Sequence, residues 1–522
     1  MVDICLICEG TYPYITGGVS AWTHNIIKDF PNFTFGVVHI SSKTDHFKKF
    51  KYELPPNVIE YIEIPIHEPV IDSDGVNEMK SDAFDFYSFH QEIKKGDHSR
   101  FAQILKRISP DGHGMMDFHA AAPQDGDKTK TAAGGRPVKI TGEKILYSKE
   151  SFDIITNLYK QCGLSTSFID YYWTFRTTHL PLLQILNAPV LQASIYHPVS
   201  TGYAGLYAVT AKLKTGSPII LTEHGIYTVE RKIEVAESSW MLDEGTGSLK
   251  LQAQLGKIKD FWIKIFDFLS RLTYKHADEL ISLYSENKKM QVSLGADEKR
   301  ILLIPNGIDI QKYENLKGRM GGSDAVLKVG FVGRVVPVKD VETFVKAAKL
   351  INESMPQAEF YIIGPDDEDA DYAREVRNLV SALDLMNVIK FTGAVNTADY
   401  YKIIDVLVLT SITEVQPLVI LEALIAGVPV VATNVGACRE MLYGDSPEDR
   451  SSGRCGIITA IKAPAETAAA VVKILKDPAL WREMAITGQK RVRRYYQKKQ
   501  LSAQYRRLYF SMLASKIKEI RS

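Results

Sequence analysis

Asp405-Val-Leu-Val-Leu-Thr410-Ser-Ile-Thr-Glu414-Val-Gln416-Pro417-Leu418-Val419-Ile-Leu-Glu422-Ala-Leu-Ile-Ala426-Gly-Val428-Pro-Val-Val-Ala432 reads as strand, turn, helix and strand again. Val406–Leu409 is a short apolar run without alternation, which suits a strand covered on both faces. Pro417 favours a helix start. Leu418–Ala426 is apolar on nearly every side, so this helix must be buried. Glu422 is then a carboxylate inside an apolar helix. Removed from water without partners it is costly, so it must be protonated, paired or turned toward a hydroxyl-rich ligand. Glu414 stands in the turn at the strand's carboxyl end, and the N–H groups just after Pro417 point at whatever it addresses. Together these features read as a ligand site; the alternative is a plain strand end and a core helix with a satisfied glutamate.

The same alternation extends outward. Lys328–Val332, Glu359–Ile363, Val388–Phe391, Val406–Leu409, Val428–Ala432 and Gly456–Ile458 are strand candidates, each separated by a helix-length segment, which is the pattern of one complete doubly wound domain. The first half offers Ile4–Cys8, Thr34–Ile40, Val58–Ile64, Leu191–Tyr196, Ile219–Thr222 and Glu279–Leu283. Between Glu68 and about Lys144 periodicity fails, predicting an insertion that is partly helical and ends in a loop. The polar segment Gln311–Ala325 predicts a linker. At 522 residues the chain exceeds what one core can serve. The expectation is an α/β chain with two Rossmann-like doubly wound domains, 1–312 with an insertion at about 68–146 and 313–494, followed by a terminal helix, 495–522, packing back on the first.

Bulk composition excludes several classes. With 63 basic against 62 acidic residues, nothing points to nucleic acid or an anionic membrane as the main partner. The start Met1-Val-Asp-Ile-Cys-Leu-Ile-Cys8 lacks a basic leader, and the most apolar long stretch, Pro417–Thr433, contains Glu422 and Pro429, so a cytoplasmic chain without a membrane span is expected. Cys5, Cys8, Cys162, Cys438 and Cys455 are scattered and odd in number, as suits reduced thiols. Cys5 and Cys8 fall in a strand, where they face opposite sides and do not make half a zinc site. His90, His98, His113 and His119 fit no zinc spacing and are expected to be solvated. The basic run with Arg491, Arg493, Arg494, Lys498 and Lys499 is expected to be the solvated face of a terminal helix.

In open α/β sheets ligands bind beyond the carboxyl ends of strands, and the remaining chemistry collects there. Lys328–Val332 runs into Gly333-Arg334-Val-Val-Pro-Val-Lys339-Asp340, where Arg334 and Lys339 suit a diphosphate, one as a planar fork and the other as a point charge. Ile4–Cys8 leads to Gly17-Gly18 before a helix, which allows close backbone approach to an anion. His224, after the strand ending in Thr222-Glu223, is a candidate for a sugar hydroxyl or carbonyl near the reacting carbon; His197, in Ile-Tyr-His-Pro, is as readily structural. Carboxylates for hydroxyls and cations for phosphates together describe a nucleotide-sugar. Arg334 and Lys339 take the place of a divalent ion, so no metal is expected, and the acidic run Asp366–Asp369 lacks supporting ligands. Neither half carries G-x-G-x-x-G after its first strand, which argues against a nicotinamide oxidoreductase.

Gly17-Gly18, Arg334 with Lys339, Asn306-Gly-Ile-Asp309 and the pair Glu414 and Glu422 together resemble the retaining glycosyltransferases of family 4, which have the GT-B fold, two Rossmann-like domains facing across a cleft. Ile7–Ser20, Tyr196–Gly205 and Thr222–Lys232 resemble, more narrowly, the subfamily that serves Pel exopolysaccharide synthesis. The resemblance implies a UDP-sugar donor, a polysaccharide acceptor, an acceptor-side first domain and a nucleotide-sugar-binding second one. Glu422 would bind ribose hydroxyls, Glu414 would address the donor sugar, and the backbone of Gln416, Pro417, Leu418 and Val419 would meet sugar and phosphate. Arg334 and Lys339 would hold the diphosphate, with Gly17, Gly18 and His224 supplied by the other domain. It also implies membrane-embedded synthase partners and a peripheral place at the inner membrane. A pyridoxal-dependent phosphorylase of the same architecture and a non-catalytic nucleotide-sugar-binding subunit are the competing readings.

Overall fold

Unbroken apolar runs become strands, which among the described residues form sheets of four, three and six strands. The computed structural model describes residues 1–42, 49–67, 82–108, 149–162, 167–237, 249–313, 316 and 326–521. The chain divides into one unit of Met1–Ile281, Met290–Leu302 and Arg506–Ser522 and another of Ser282–Lys289 and Leu303–Tyr505.

In the first unit β1 (Val2–Glu9), β2 (Phe35–Ser41), β3 (Val58–Pro65) and β4 (Ala193–Pro198) form a parallel sheet in the order β3-β2-β1-β4. A parallel bridge from Tyr196 to Ile219 links it to β5 (Ile220–Glu223), β6 (Glu279–Ser282) and β7 (Ile301–Leu303). β7 has no counterpart among the sequence expectations, because three residues are too few to show a period. Cys5 and Cys8 lie in β1 and both are buried. The terminal helix Lys498–Arg521 contributes Tyr509 to this unit, where its hydroxyl is hydrogen-bonded to His197 Nδ1 at 2.7 Å. Tyr509 also packs edge-on against Phe30 and Phe33.

Of the interval 68–146, the described part holds helices Asp82–Lys95 and Phe101–Ile108, and the rest lies outside the described residues, with His113 and His119. His90 corrects the expectation of solvation. It is only 3% exposed and sits 3.1 Å, Nδ1 to Nε2, from buried His179, between Phe175 and Phe261. Burial lowers the affinity of both rings for a proton, that of His179 to about 4, so the pair is neutral at pH 7. Its side-chain partners come from distant sequence, which local pattern does not reveal.

The second unit is one six-stranded parallel sheet: β8 (Lys328–Val332), β9 (Glu359–Ile363), β10 (Ile389–Phe391), β11 (Val406–Leu409), β12 (Val430–Thr433) and β13 (Gly456–Thr459), ordered β10-β9-β8-β11-β12-β13. Alternate residues feed two cores. Val329, Phe360, Ile362, Val406, Val408 and Val431 face one, whereas Ile363, Leu407, Leu409, Val430 and Ala432 face the other with helix Leu418–Ile425. The predicted linker lies largely outside the described residues.

Arg491 departs from the expected solvated face. Its side chain is 0% exposed and pairs with Asp449 at 2.7 Å, while its guanidinium donates to the carbonyls of Leu442, Asp449 and Gly453. The helix Pro478–Tyr495 turns this one position inward while Arg493 and Arg494 remain exposed. Breaking a buried, hydrogen-bonded pair strands its partner. Arg491→Met should therefore destabilise the second unit by about 3–5 kcal/mol in denaturant unfolding. A change within about 0.5 kcal/mol, the ordinary surface range, would contradict the structural role.

Candidate active site

Both sheets reverse strand order beside their first strand, between β1 and β4 in one unit and between β8 and β11 in the other, so each has a crevice at that switch point. In the second unit the crevice is built from two loops stitched together. After β8 the chain turns through Pro337–Lys339 to Asp340, at φ 47°, whose carboxylate caps helix Val341–Ser354 by accepting from Thr343 N–H and hydroxyl. At the end of β11, Thr410 Oγ1 donates to the carbonyls of Lys339 and Asp340 at 3.1 and 2.8 Å, and Ile412 N–H donates to Val338. Lys339 Nζ then lies 2.5 Å from Glu414 Oε1, which also accepts from Ser411 Oγ at 2.7 Å. The Glu414 loop rests on Gly436, at φ +50°, where a Cβ would sit 2.2 Å from the Glu414 carbonyl oxygen. Only glycine fits there.

Glu422 projects from helix Leu418–Ile425 and is largely buried. Tyr401 donates to Oε2 at 3.0 Å and Tyr313 supplies a second hydroxyl, so two tyrosines the sequence reading did not identify satisfy the apolar helix's one charge. Burial raises the proton affinity of this carboxyl above the ordinary carboxylate value, and the tyrosines and Lys312 oppose the rise. Gln416 is also used internally. Its Oε1 accepts from Asn306 N–H at 2.7 Å and its Nε2 donates to the Asn306 carbonyl at 3.0 Å, locking the site to the segment ahead of β8. Pro417 is the residue capping the helix, and no side chain caps the first-turn N–H groups of Leu418 and Val419.

Arg334 does not join Lys339. Its guanidinium grips Glu368, on the acidic loop after β9, at 2.5 and 2.6 Å, with both side chains half exposed. The structure thus brings Lys339, Glu414 and Ser411 together and sets Arg334 and Glu422 on separate partners. Thr410, Ser411, Tyr401 and Tyr313 escaped sequence reading because single hydroxyl residues carry no distinctive spacing.

In the first unit, His224 follows β5, is 7% exposed, and its Nε2 is buried without a hydrogen-bond partner among the described residues. Burial lowers its proton affinity to about 4, so the ring is neutral at pH 7. Trp22 packs edge-on against it, 4.9 Å between centroids, and comes from helix Gly18–Asp29. Gly17 and Gly18 begin that helix, which lacks a side-chain cap, and a Cβ on either would meet nothing within 4 Å. His197 is spoken for: its two ring nitrogens bond to Tyr509 and Thr222, at 2.7 and 2.8 Å. Glu9, at the end of β1 and absent from the sequence candidates, accepts from Tyr227 Oη at 2.7 Å and Tyr203 N–H at 2.9 Å.

The chain has a GT-B fold, with parallel sheets in both units, as its structural neighbours do. The chain belongs to the family described as Domain of unknown function (DUF3492), whose model matches residues 2–299, and its second half matches Glycosyl transferases group 1 over residues 327–477. A D-inositol 3-phosphate glycosyltransferase from Kineococcus radiotolerans is 28% identical over 219 residues, 39% of this chain and 50% of that protein. The chain spans about half the length of the curated relatives it matches. Among solved structures, sucrose-phosphate synthase from Thermosynechococcus elongatus aligns with TM-score 0.56 and 17% identity, covering 98% of this chain and 99% of that one. HepE from Anabaena, solved with UDP and glucose, aligns with TM-score 0.54 and 15% identity, covering 98% and 100%. No helix among the described residues is long and apolar enough to cross a membrane.

Because the folded state raises the proton affinity of Glu422, the stability this group contributes is present below the ordinary carboxylate value and is lost as pH rises through the raised one. Thermal unfolding of Glu422→Gln across that window should be flatter with pH than the parent. Parallel curves would show that Glu422 is not a strained buried acid.

Proposed function

We propose that this chain is a metal-independent, UDP-sugar-dependent retaining glycosyltransferase that transfers a hexose to a growing exopolysaccharide of the Pel type, as PelF does. The observation that carries the reading is Lys339 held against Glu414 at the switch point of a group 1 glycosyl transferase domain. HepE, which shares the fold, has been solved with UDP and glucose, and that supports a UDP-sugar donor.

In this proposal Glu422 accepts from ribose hydroxyls with the lone pairs its tyrosines leave free. Glu414 accepts from hydroxyls of the donor sugar, and the uncapped N–H groups of Leu418 and Val419, after Gln416 and Pro417, face sugar and phosphate. Lys339, relieved of part of its pairing, and Arg334, exchanging Glu368 for phosphate, hold the diphosphate. In the first unit, His224 offers its orphan Nε2 to a sugar hydroxyl, and Gly17 and Gly18 open the helix start to an anion. The bond between the anomeric carbon and the β-phosphate oxygen breaks as the acceptor oxygen bonds on the same face, and the acceptor's proton passes to the departing phosphate. Negative charge grows on that phosphate, so positioned cations do the largest share of catalysis. No protein nucleophile takes part. Acceptor polysaccharide and membrane-embedded synthase partners belong to the same proposal, as does a cytoplasmic place.

A panel of UDP-sugars assayed for binding and UDP release tests the reading. One hexose should stand out, and binding without release would leave a non-catalytic subunit instead. Lys339→Ala should weaken UDP binding by roughly 10- to 100-fold, the worth of a charge-assisted hydrogen bond. Unchanged affinity would remove its diphosphate role. Turnover should survive chelators; a strict magnesium requirement would overturn the cation-only chemistry.

A further inference from the structure

Beside the donor loop, the second unit contains a cavity of about 810 Å³ that the proposed reaction leaves unused. It begins at Asn434 and Gly436, the glycine under the Glu414 backbone, and runs on to Arg439, Tyr443, Arg450 and Arg454. Tyr443 is a fixed platform, because its hydroxyl accepts the Ile458 N–H of β13 at 3.0 Å. The Arg439 and Arg454 guanidinium groups both lie over its ring, 5.3 and 4.8 Å from the centroid. Stacking of this kind holds a guanidinium in place without consuming its hydrogen-bond donors. Arg450 adds a third, held through Nε to the Gly444 carbonyl at 3.3 Å. None of the three is ion-paired among the described residues.

The cavity's carboxylates are already engaged. Glu440 accepts the Ser285 and Glu286 N–H groups that open helix Ser285–Ser293, Asp445 accepts the Ser285 hydroxyl, and Glu286 pairs with Lys289 at 2.5 Å. Burial also favours the neutral form of Glu440. Three forks without counter-ions exceed what one carboxylate needs and match a group carrying two or more negative charges and several acceptor oxygens.

We propose that this cavity is a phosphoryl-binding subsite next to the donor loop, taking a phosphate or diphosphate group carried by the primer saccharide from which the polysaccharide grows. The position beside the Glu414 loop makes it an acceptor feature and in that respect it rests on the reading above. The phosphoryl group has two possible carriers, a soluble sugar phosphate or a lipid-linked diphosphate.

The test is calorimetric titration of the full chain with pyrophosphate, in the presence and absence of saturating UDP. With UDP present the wild type should bind one further pyrophosphate. Arg439 and Arg454 are exposed, so Arg439→Gln/Arg454→Gln should fold, keep UDP affinity within about twofold, and lose tenfold or more in pyrophosphate affinity. Tyr443→Leu should behave likewise and Tyr443→Phe should retain most binding. Glucose 6-phosphate and undecaprenyl diphosphate in phosphatidylcholine vesicles separate the carriers, and binding of either supports the subsite. Failure of both, unchanged pyrophosphate affinity in the double variant, or glucuronate binding as tightly as glucose 6-phosphate would overturn it. Should UDP fail to bind the wild type, the donor reading falls alone, because the titration without UDP still reports on the arginines.

Discussion

Lys339 and Glu414 meet at 2.5 Å across the place where the second sheet reverses its strand order. The rest of the site follows from that contact. Strand reversal leaves two loops diverging from neighbouring strands, and without a tie they would bound a loose crevice. The tie has a backbone part, Thr410 on the carbonyls of Lys339 and Asp340, and a charged part, Lys339 on Glu414. With Glu414 only 11% exposed, its attraction to Lys339 is screened less than a surface pair would be. A ligand entering here would meet a cation and an acceptor already oriented, so little would be lost in ordering them.

The two switch points are finished differently. In the first unit Glu9 closes the crevice from within, capping the Tyr203–Thr215 helix with its own carboxylate. The first N–H groups of that helix are thus satisfied from within the chain. In the second unit helix Leu418–Ile425 has no side-chain cap, and the same is true of helix Gly18–Asp29 in the first. In the second unit the uncapped helix start lies a few residues after Glu414, an arrangement that suits an anionic, hydroxylated ligand.

Most of the sheet architecture was legible in the sequence because parallel strands buried on both faces are written as plain apolar runs. Twelve of the strand candidates fall on observed strands, shifted by a residue or two at the ends, and the miss, Ile301–Leu303, is too short to show a pattern. The carboxyl ends of those strands pointed to Lys339, Glu414 and His224 for the same reason. What stayed hidden depends on contacts across long stretches of chain: Gln416 on Asn306, Tyr401 on Glu422, His90 on His179, and Arg491 on Asp449. Arg491 shows the limit well. Its basic neighbours Arg493 and Arg494 are exposed, and the carboxylate that pairs with it lies forty-two positions away.

The coupling between Lys339 and Glu414 is open to direct measurement by a double-mutant cycle on UDP-sugar affinity, using Lys339→Ala, Glu414→Gln and the pair. If phosphate and sugar are held by one preorganised unit, the combined loss should differ from the sum of the single losses by roughly 0.5–3 kcal/mol. Strict additivity would mean that the two side chains act independently and that their contact does not organise the site.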